Sequence, residues 1–266
     1  MGEVNYRPLI DDMVWSFSRV ESFGNCPHQW YLRYIRRCKQ KEKFYASYGS
    51  FMHKILERYY NGELTKSQML TTFLKDFKTE VRGFRPKETT VKKFIDGAVE
   101  YLKSFKPFPF KMIAVEKKVE FKVGGEPFIG YIDYLGMDES DGELVIVDNK
   151  SRDLKPRSKR GKPTLKDKEL DEILRQLYIY SIAVEEEYGK LPKELCINCF
   201  KTGTFIREPF NMEAYHEAQV WVLNMIKDIK REEDFEENLN PFFCFWVCGV
   251  SDNCEYYQST KTSNVR

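Results

Sequence analysis

Two neighbouring stretches of this chain hold charged residues inside apolar surroundings. Asp133 lies within FIGYIDYLG at 128–136, and Asp148 and Lys150 close LVIVDNK at 144–150. A buried carboxylate without a partner is costly. Two carboxylates on adjacent strand ends also repel each other unless a cation joins them. A hard divalent ion such as Mg²⁺ or Mn²⁺ takes oxygen ligands of this kind. Asp148 and Lys150 are two apart, so on a strand they share a face. The ammonium would then lie beside the ion, placed to position an attacking water or to stabilise charge in a transition state. Taken alone, the Asp-x-Lys triplet reads more readily as an ordinary ion pair at a strand end. The carboxylate on the preceding strand tips the reading toward a metal site.

The elements around these residues follow from periodicity and breakers. The first hundred residues read as helical. A short helix is expected over 18–23, broken at Gly24, and Pro27 opens another through about Ile35. Further helices are expected over 47–60, 65–81 and 90–105, ending at the Pro-rich KPFPF of 106–110. The period then changes to that of strands, over 113–123 and 127–137, with Gly124-Gly125 as the turn between them. The third strand, ELVIVDNKS, has the continuous apolar run of a buried strand. A helix over 169–188, strands over 195–201 and 205–210, and a helix over 212–231 follow. The core order is therefore strand, strand, strand, helix, strand. Three regions are expected: a helical 1–110, a core of 111–232 and a Cys-bearing tail of 233–266.

These motifs together resemble the PD-(D/E)XK nuclease superfamily, in its RecB-like and CRISPR-associated branch. GSFMHKILE at 49–57 matches that branch's helix with a glycine followed by a metal-binding histidine, His53. GYIDYL and VDNK match its strand-borne pair, and QLYIY matches its Q-x-x-x-Y helix through Gln176 and Tyr180. Ile132 stands where the pattern has proline. The resemblance implies an α/β (α+β) fold of the restriction-endonuclease type, with a central mixed β-sheet flanked by helices. It implies that His53, Asp133, Asp148 and the carbonyl of Asn149 ligate Mg²⁺ or Mn²⁺, and that Lys150 is catalytic. Gln176 and Tyr180, four apart on one helix face, would orient Lys150 or touch the DNA backbone. Glu116 is the weaker candidate for a second metal or an outer shell. As a residue by itself it reads better as a solvated strand position.

Seven cysteines are present. Cys244, Cys248 and Cys254 cluster in the tail, and Cys26 lies far upstream. The resembling nucleases often hold a [4Fe–4S] cluster by one N-terminal and three C-terminal thiolates. Here that would staple the N-terminal helices to the tail. The tail's spacing is one residue longer than the family's usual C-x-x-C step, and four thiolates also suit Zn²⁺. Cys196 and Cys199, three apart on a strand, should face opposite ways. Cys38 reads as a bystander among charges.

Of the 266 residues, 42% are hydrophobic and 15% aromatic, enough for a sizeable core and unlike a disordered composition. The net charge of +2 is uninformative, but its distribution is not. Residues 152–168 carry eight Lys/Arg against two Asp, and residues 33–43 carry six against one Glu. Such runs suit phosphates or simply solvent. Lys155, Arg157, Lys159 and Arg160 follow directly from the catalytic strand and are candidate DNA contacts. Trp30, Tyr31, Tyr34 and Phe44 are candidate stacking residues, though their spacing favours the core. No apolar run is long enough to span a bilayer, and the first residues do not read as a secretory signal. A cytoplasmic protein of a bacterial, archaeal or phage-infected cell is expected. The leading expectation is an exonuclease acting on DNA ends or single strands in recombination or repair, beside a helicase or recombination protein. A non-catalytic DNA-binding adaptor and an RNA-directed nuclease are the alternatives.

Overall fold

A computed structural model of the chain describes residues 6–158 and 162–258. The N-terminal helices are α1 (Arg7–Asp11), α2 (Phe17–Asn25) and α3 (Pro27–Trp30), the last running on as a π turn over Tyr31–Ile35. Gly24 does not break α2, which continues to Asn25. Pro27 opens α3 at a position where its missing N–H costs nothing, and the Cys26 sulfur accepts from the Gln29 N–H there. Next come α4 (Phe44–Tyr60), α5 (Lys66–Glu80) and α6 (Glu88–Ser104). Thr65 and Gln68 start α5 with a reciprocal capping box.

The sheet has five strands in chain order: β1 (Lys111–Val123), β2 (Glu126–Met137), β3 (Leu144–Lys150), β4 (Glu194–Cys199) and β5 (Thr204–Pro209). β3 and β4 are parallel and the other neighbours antiparallel, so the sheet is mixed. A parallel pair needs a crossover. Here it is α7 (Leu165–Tyr188), begun by a Thr164–Asp167 capping box and ended by Gly189 at φ +71°. Helix α8 (Met212–Arg231) packs on α7, and the tail follows with a π turn at Phe243–Val247.

Two packed layers flank the sheet. On one side, Leu144 and Ile146 of β3 join Leu170, Leu174 and Leu177 of α7, with Val222 and Ile226 of α8 and Trp15 and Val20 of the N-terminal segment. Opposite them, Val145 and Val147 pack with Tyr134, Phe108 and Cys196. A further core of Phe44, Tyr48, Met52, Phe73 and Phe94 holds α4, α5 and α6 together. β3 is thus buried on both faces, which its continuous apolar run requires. Its even-numbered side chains, Asp148 and Lys150 among them, face α7.

Candidate functional site

The strands fork where the charged residues lie. The β2–β3 ladder ends at the Tyr134–Val147 pair, so Asp133 and Asp148 beyond it do not pair with each other. On the other flank, the register set by Val115–Tyr134 and Lys117–Ile132 puts Glu116 opposite Asp133. Those two do not pair, and Glu116 takes φ +46°, a left-handed conformation that non-glycine residues avoid. Strained backbone held at such a fork marks a place where geometry is imposed by the surrounding structure.

Five elements deliver side chains to this fork: α4, β1, β2, β3 and α7. His53 comes from α4, where Phe51, Met52, Ile55 and Leu56 fix the helix against its core. Its Nδ1 lies 3.4 Å from Asp133 Oδ2 and 3.7 Å from Glu116 Oε1. One donor atom from each of His53, Glu116 and Asp133 falls within 4.8 Å of the others, a spacing a single metal ion can bridge. Asp133 Oδ2 also accepts from the Asn149 backbone N–H at 2.7 Å. That peptide is locked from behind, because the Asn149 side-chain oxygen accepts from Asn198, which also donates to Tyr101 of α6. The Asn149 backbone N–H thus ties β3 to the Asp133 carboxylate.

Lys150 has two partners. Its ammonium donates to Asp148 Oδ1 at 3.1 Å and to Gln176 Oε1 at 3.0 Å. Gln176 in turn donates from Nε2 to the Tyr180 hydroxyl at 3.2 Å. The chain Tyr180–Gln176–Lys150–Asp148 therefore runs from α7 onto β3, and it fixes which way the Gln176 amide faces. Beneath it, Gly130 of β2 makes room: a Cβ there would lie 2.5 Å from the Tyr180 ring. Gly130→Ala is expected to cost about 1–3 kcal/mol by overpacking and to displace Tyr180 from Gln176. A denaturant melt checks the stability, and an unchanged midpoint would contradict the contact.

The electrostatics describe carboxylates pushed together. Burial, then the Asp148 charge, raise Asp133 well above the usual carboxylate range. Burial works against the charged forms of His53 and Lys150, yet the surrounding carboxylates outweigh it and raise both. Asp148 Oδ2 is buried and lies 2.9 Å from the Lys150 ammonium. An excess of negative charge, two carboxylates and an imidazole nitrogen within bridging distance together fit a divalent cation. Asp148 stands one step outside the His53–Glu116–Asp133 group, turned toward Lys150. Glu116, in the sequence only a weaker candidate for a second metal or an outer shell, belongs to that group. The missing signal was arithmetic: counting back from the two-residue Gly124-Gly125 turn sets residue 116 opposite 133. Glu21 of α2 was also missed. It is largely buried, and burial raises it despite the opposing charges of Lys150, Arg152 and Arg175.

The four expected cysteines converge elsewhere. Cys26, Cys244, Cys248 and Cys254 line one pocket between α3 and the tail, and all are free thiols. The Cys26 sulfur accepts from the backbone N–H of Gln29 and of Asn238, each at 3.4 Å. Burial raises the thiols of Cys244, Cys248 and Cys254, Cys248 to about 11. Neighbouring sulfurs push Cys244 and Cys248 the same way. Thiols placed so would ionise only with a cation to hold them, and the donor set fits a soft metal or cluster. Cys38, expected among charges, packs instead against Leu32, Cys248 and Val250 beside this pocket. Cys196 and Cys199 do face opposite layers.

The candidate DNA contacts divide. Arg157 is held by Asp171 at 2.7 Å and Glu208 at 2.8 Å, which ties its loop to α7 and β5 rather than leaving it for a phosphate. Lys155 is exposed and pairs with Asp153. Lys159 and Arg160 lie outside the described residues. Trp30 and Phe44 are fully buried, so neither can stack on a base, whereas Tyr31 and Tyr34 are half-buried. No helix of the described residues is long and apolar enough to cross a membrane.

Comparison with known proteins agrees with this geometry. Among solved structures, a chain from Eubacterium rectale named "Putative exonuclease" aligns over 95% of this chain and 92% of its own, at 14% identity and a TM-score of 0.51. That likeness speaks for the fold alone. SSO0001 aligns over 90% of this chain and 95% of its own, at 14% identity, but its TM-score of 0.33 carries no argument. No curated protein matches the sequence. The family model of the PD-(D/E)XK nuclease superfamily matches residues 14–257, nearly the whole chain. The chain therefore belongs to the PD-(D/E)XK nuclease superfamily.

Proposed function

We propose that this protein is a metal-dependent DNA nuclease of the RecB-like branch, working as an exonuclease on DNA ends or single strands in recombination or repair. The observation that carries the reading is the half-buried Lys150, held between Asp148 and Gln176 beside the His53–Glu116–Asp133 group. A superfamily member with a decayed site would not need to keep this set, which weighs against a non-catalytic adaptor. The E. rectale protein's name, carried over as an analogy, favours the exonuclease.

The roles follow from the contacts. His53, Glu116 and Asp133, with Asp148 beside them, would hold Mg²⁺ or Mn²⁺, which supplies Lewis acidity toward a phosphate oxygen and an activated water. The Asn149 N–H aims the Asp133 carboxylate. The Lys150 ammonium faces the position where negative charge grows on the phosphate and stabilises it there. Gln176, anchored by Tyr180, keeps that ammonium from collapsing fully onto Asp148. The four thiols would hold a [4Fe–4S] cluster, or Zn²⁺, as a staple between α3 and the tail. DNA is the proposed partner, with a separate helicase or recombination protein supplying any motor.

The test is digestion of end-labelled single- and double-stranded DNA and RNA of one sequence, with Mg²⁺, Mn²⁺ or chelator. Wild type and Gln176→Ala are compared under anaerobic purification. Metal-dependent cleavage of DNA is expected, slowed about 10²-fold in Gln176→Ala through loss of Lys150 positioning. Binding without cleavage under both metals would overturn the nuclease reading in favour of the adaptor, and cleavage of RNA alone would overturn the choice of DNA.

A further inference from the structure

Away from the strand fork, three segments remote in sequence meet on one face. Residues 36–43 (RRCKQKEK) carry five Lys/Arg against one Glu, and residues 82–87 (RGFRPK) carry three with no acid. A bridge between Lys43 and Phe84 joins them. Gly83 permits the approach: it takes φ +92°, and a Cβ would lie 2.5 Å from the Glu42 carbonyl. The third segment is the π turn of the tail. The Phe245 and Trp246 rings lie 5.4 and 5.7 Å from Phe84, and Trp246 and Phe242 lie 6.1 and 6.3 Å from Tyr45. Phe84 is 66% exposed, Phe242 59% and Phe245 38%.

Open aromatic rings clustered on a surface mark an interaction site. Two features select the occupant. The rings present faces on which bases stack regardless of sequence, and they are bordered by surplus positive charge. Asp252 pairs with Lys41, and Glu80 pairs with Lys54. Arg82 and Arg85 donate to the carbonyls of Thr79 and Lys78, which leaves their charge uncancelled. A protein partner would be served by the rings alone and repelled or indifferent to the cations unless it were acidic. The face also leads to the metal centre. Tyr45, Gly49 and His53 form one i, i+4 row on α4, so the rings begin about 12 Å along the helix from the candidate metal ligand.

We propose that Phe84, Phe242 and Phe245, with Arg82, Arg85 and Lys87, form a stacking platform that grips single-stranded DNA on its way to the metal centre. This rests on the nuclease reading above for its direction but not for its binding. The platform uses bases splayed from a single strand. A duplex, whose bases are already stacked, engages only its cations.

Fluorescence anisotropy of labelled oligothymidylate and of a duplex of equal length, in chelator so that nothing is cut, tests it. The proteins compared are wild type, Phe84→Ala/Phe245→Ala, and Arg85→Glu/Lys87→Glu. Each double substitution is expected to weaken single-strand binding about tenfold or more. The charge reversals should also flatten its dependence on salt. The aromatic substitutions should leave duplex binding within about twofold. Phe242→Ala, at an exposed ring outside the 82–87 contact, serves where the double alanine variant does not fold. Wild-type affinity for the single strand in the folded aromatic variants overturns the platform, even where the wild type cleaves DNA. Platform-dependent binding by a wild type that cuts nothing upholds the platform and overturns only the nuclease reading.

Discussion

Asp133→Asn is expected to abolish cleavage and yet leave the metal-free protein more stable than wild type. The substitution removes one charge from a buried cluster in which Asp133 faces Glu116 across the sheet and feels Asp148 beyond the ladder's end. The amide oxygen can still accept the Asn149 N–H, so the backbone is undisturbed. Cleavage should fall about 10²–10³-fold or more, the cost of losing one preorganised electrostatic group. Lys150→Ala should lose cleavage to the same degree but move stability the other way. It strands the buried Asp148 carboxylate, and breaking a buried pair from one side costs about 3 kcal/mol. Opposite shifts in thermal midpoint from two inactivating substitutions would separate function from folding. Mn²⁺ at about 100 times its dissociation constant should add about 2.7 kcal/mol to wild type. That is about 5–10 °C for a chain of this size, and the rise should be largely lost in Asp133→Asn. An equal rise in both proteins would place the ion elsewhere.

Cys248→Ser carries the second large effect. Cys248 is buried between the tail and the N-terminal helices, and its pocket is shared with Cys26, Cys244 and Cys254. A group bound there ties α3 to the tail, and tight binding to the folded state adds to stability by mass action. Losing a ligand held at about 1,000 times its dissociation constant costs about 4 kcal/mol, or about 8–16 °C. The anaerobically purified wild type should contain iron and sulfide in equal amounts with broad visible absorption, and the variant should lack both. Zinc in place of iron would replace the cluster with a Zn²⁺ site. A wild type with neither metal, and a variant with an unchanged midpoint, would leave the pocket as packed thiols. Because the same tail carries Phe242 and Phe245, loss of the staple should also weaken single-strand binding, linking this result to the proposed platform.

Much of the centre was legible because it obeys local rules. Asp148 and Lys150 share a face through the period of two in a strand, and Gln176 and Tyr180 share one through the period of a helix. Those spacings hold whatever the rest of the chain does. Glu116 stood only as a weaker candidate because its place depends on register across a hairpin, and on the fork where its own backbone takes a positive φ. Arg157 was misjudged for the same reason. Its loop neighbours are basic, but Asp171 and Glu208, the residues that claim it, come from α7 and β5.

The order of elements, the buried third strand and the set of residues able to bind a cation were thus determined by the sequence itself, through periodicity and the cost of burying charge. The tertiary structure alone decided which of those groups lie close enough for one ion to bridge. Glu116 joins His53 and Asp133, while Asp148 turns to Lys150, because β2 and β3 part beyond Tyr134 and Val147. It also decided that residues 36–43, 82–87 and 242–247 form one surface, since only the Gly83 approach and the tail's return bring them together. Contacts between distant segments depend on how the whole chain closes its loops, and no local spacing encodes that.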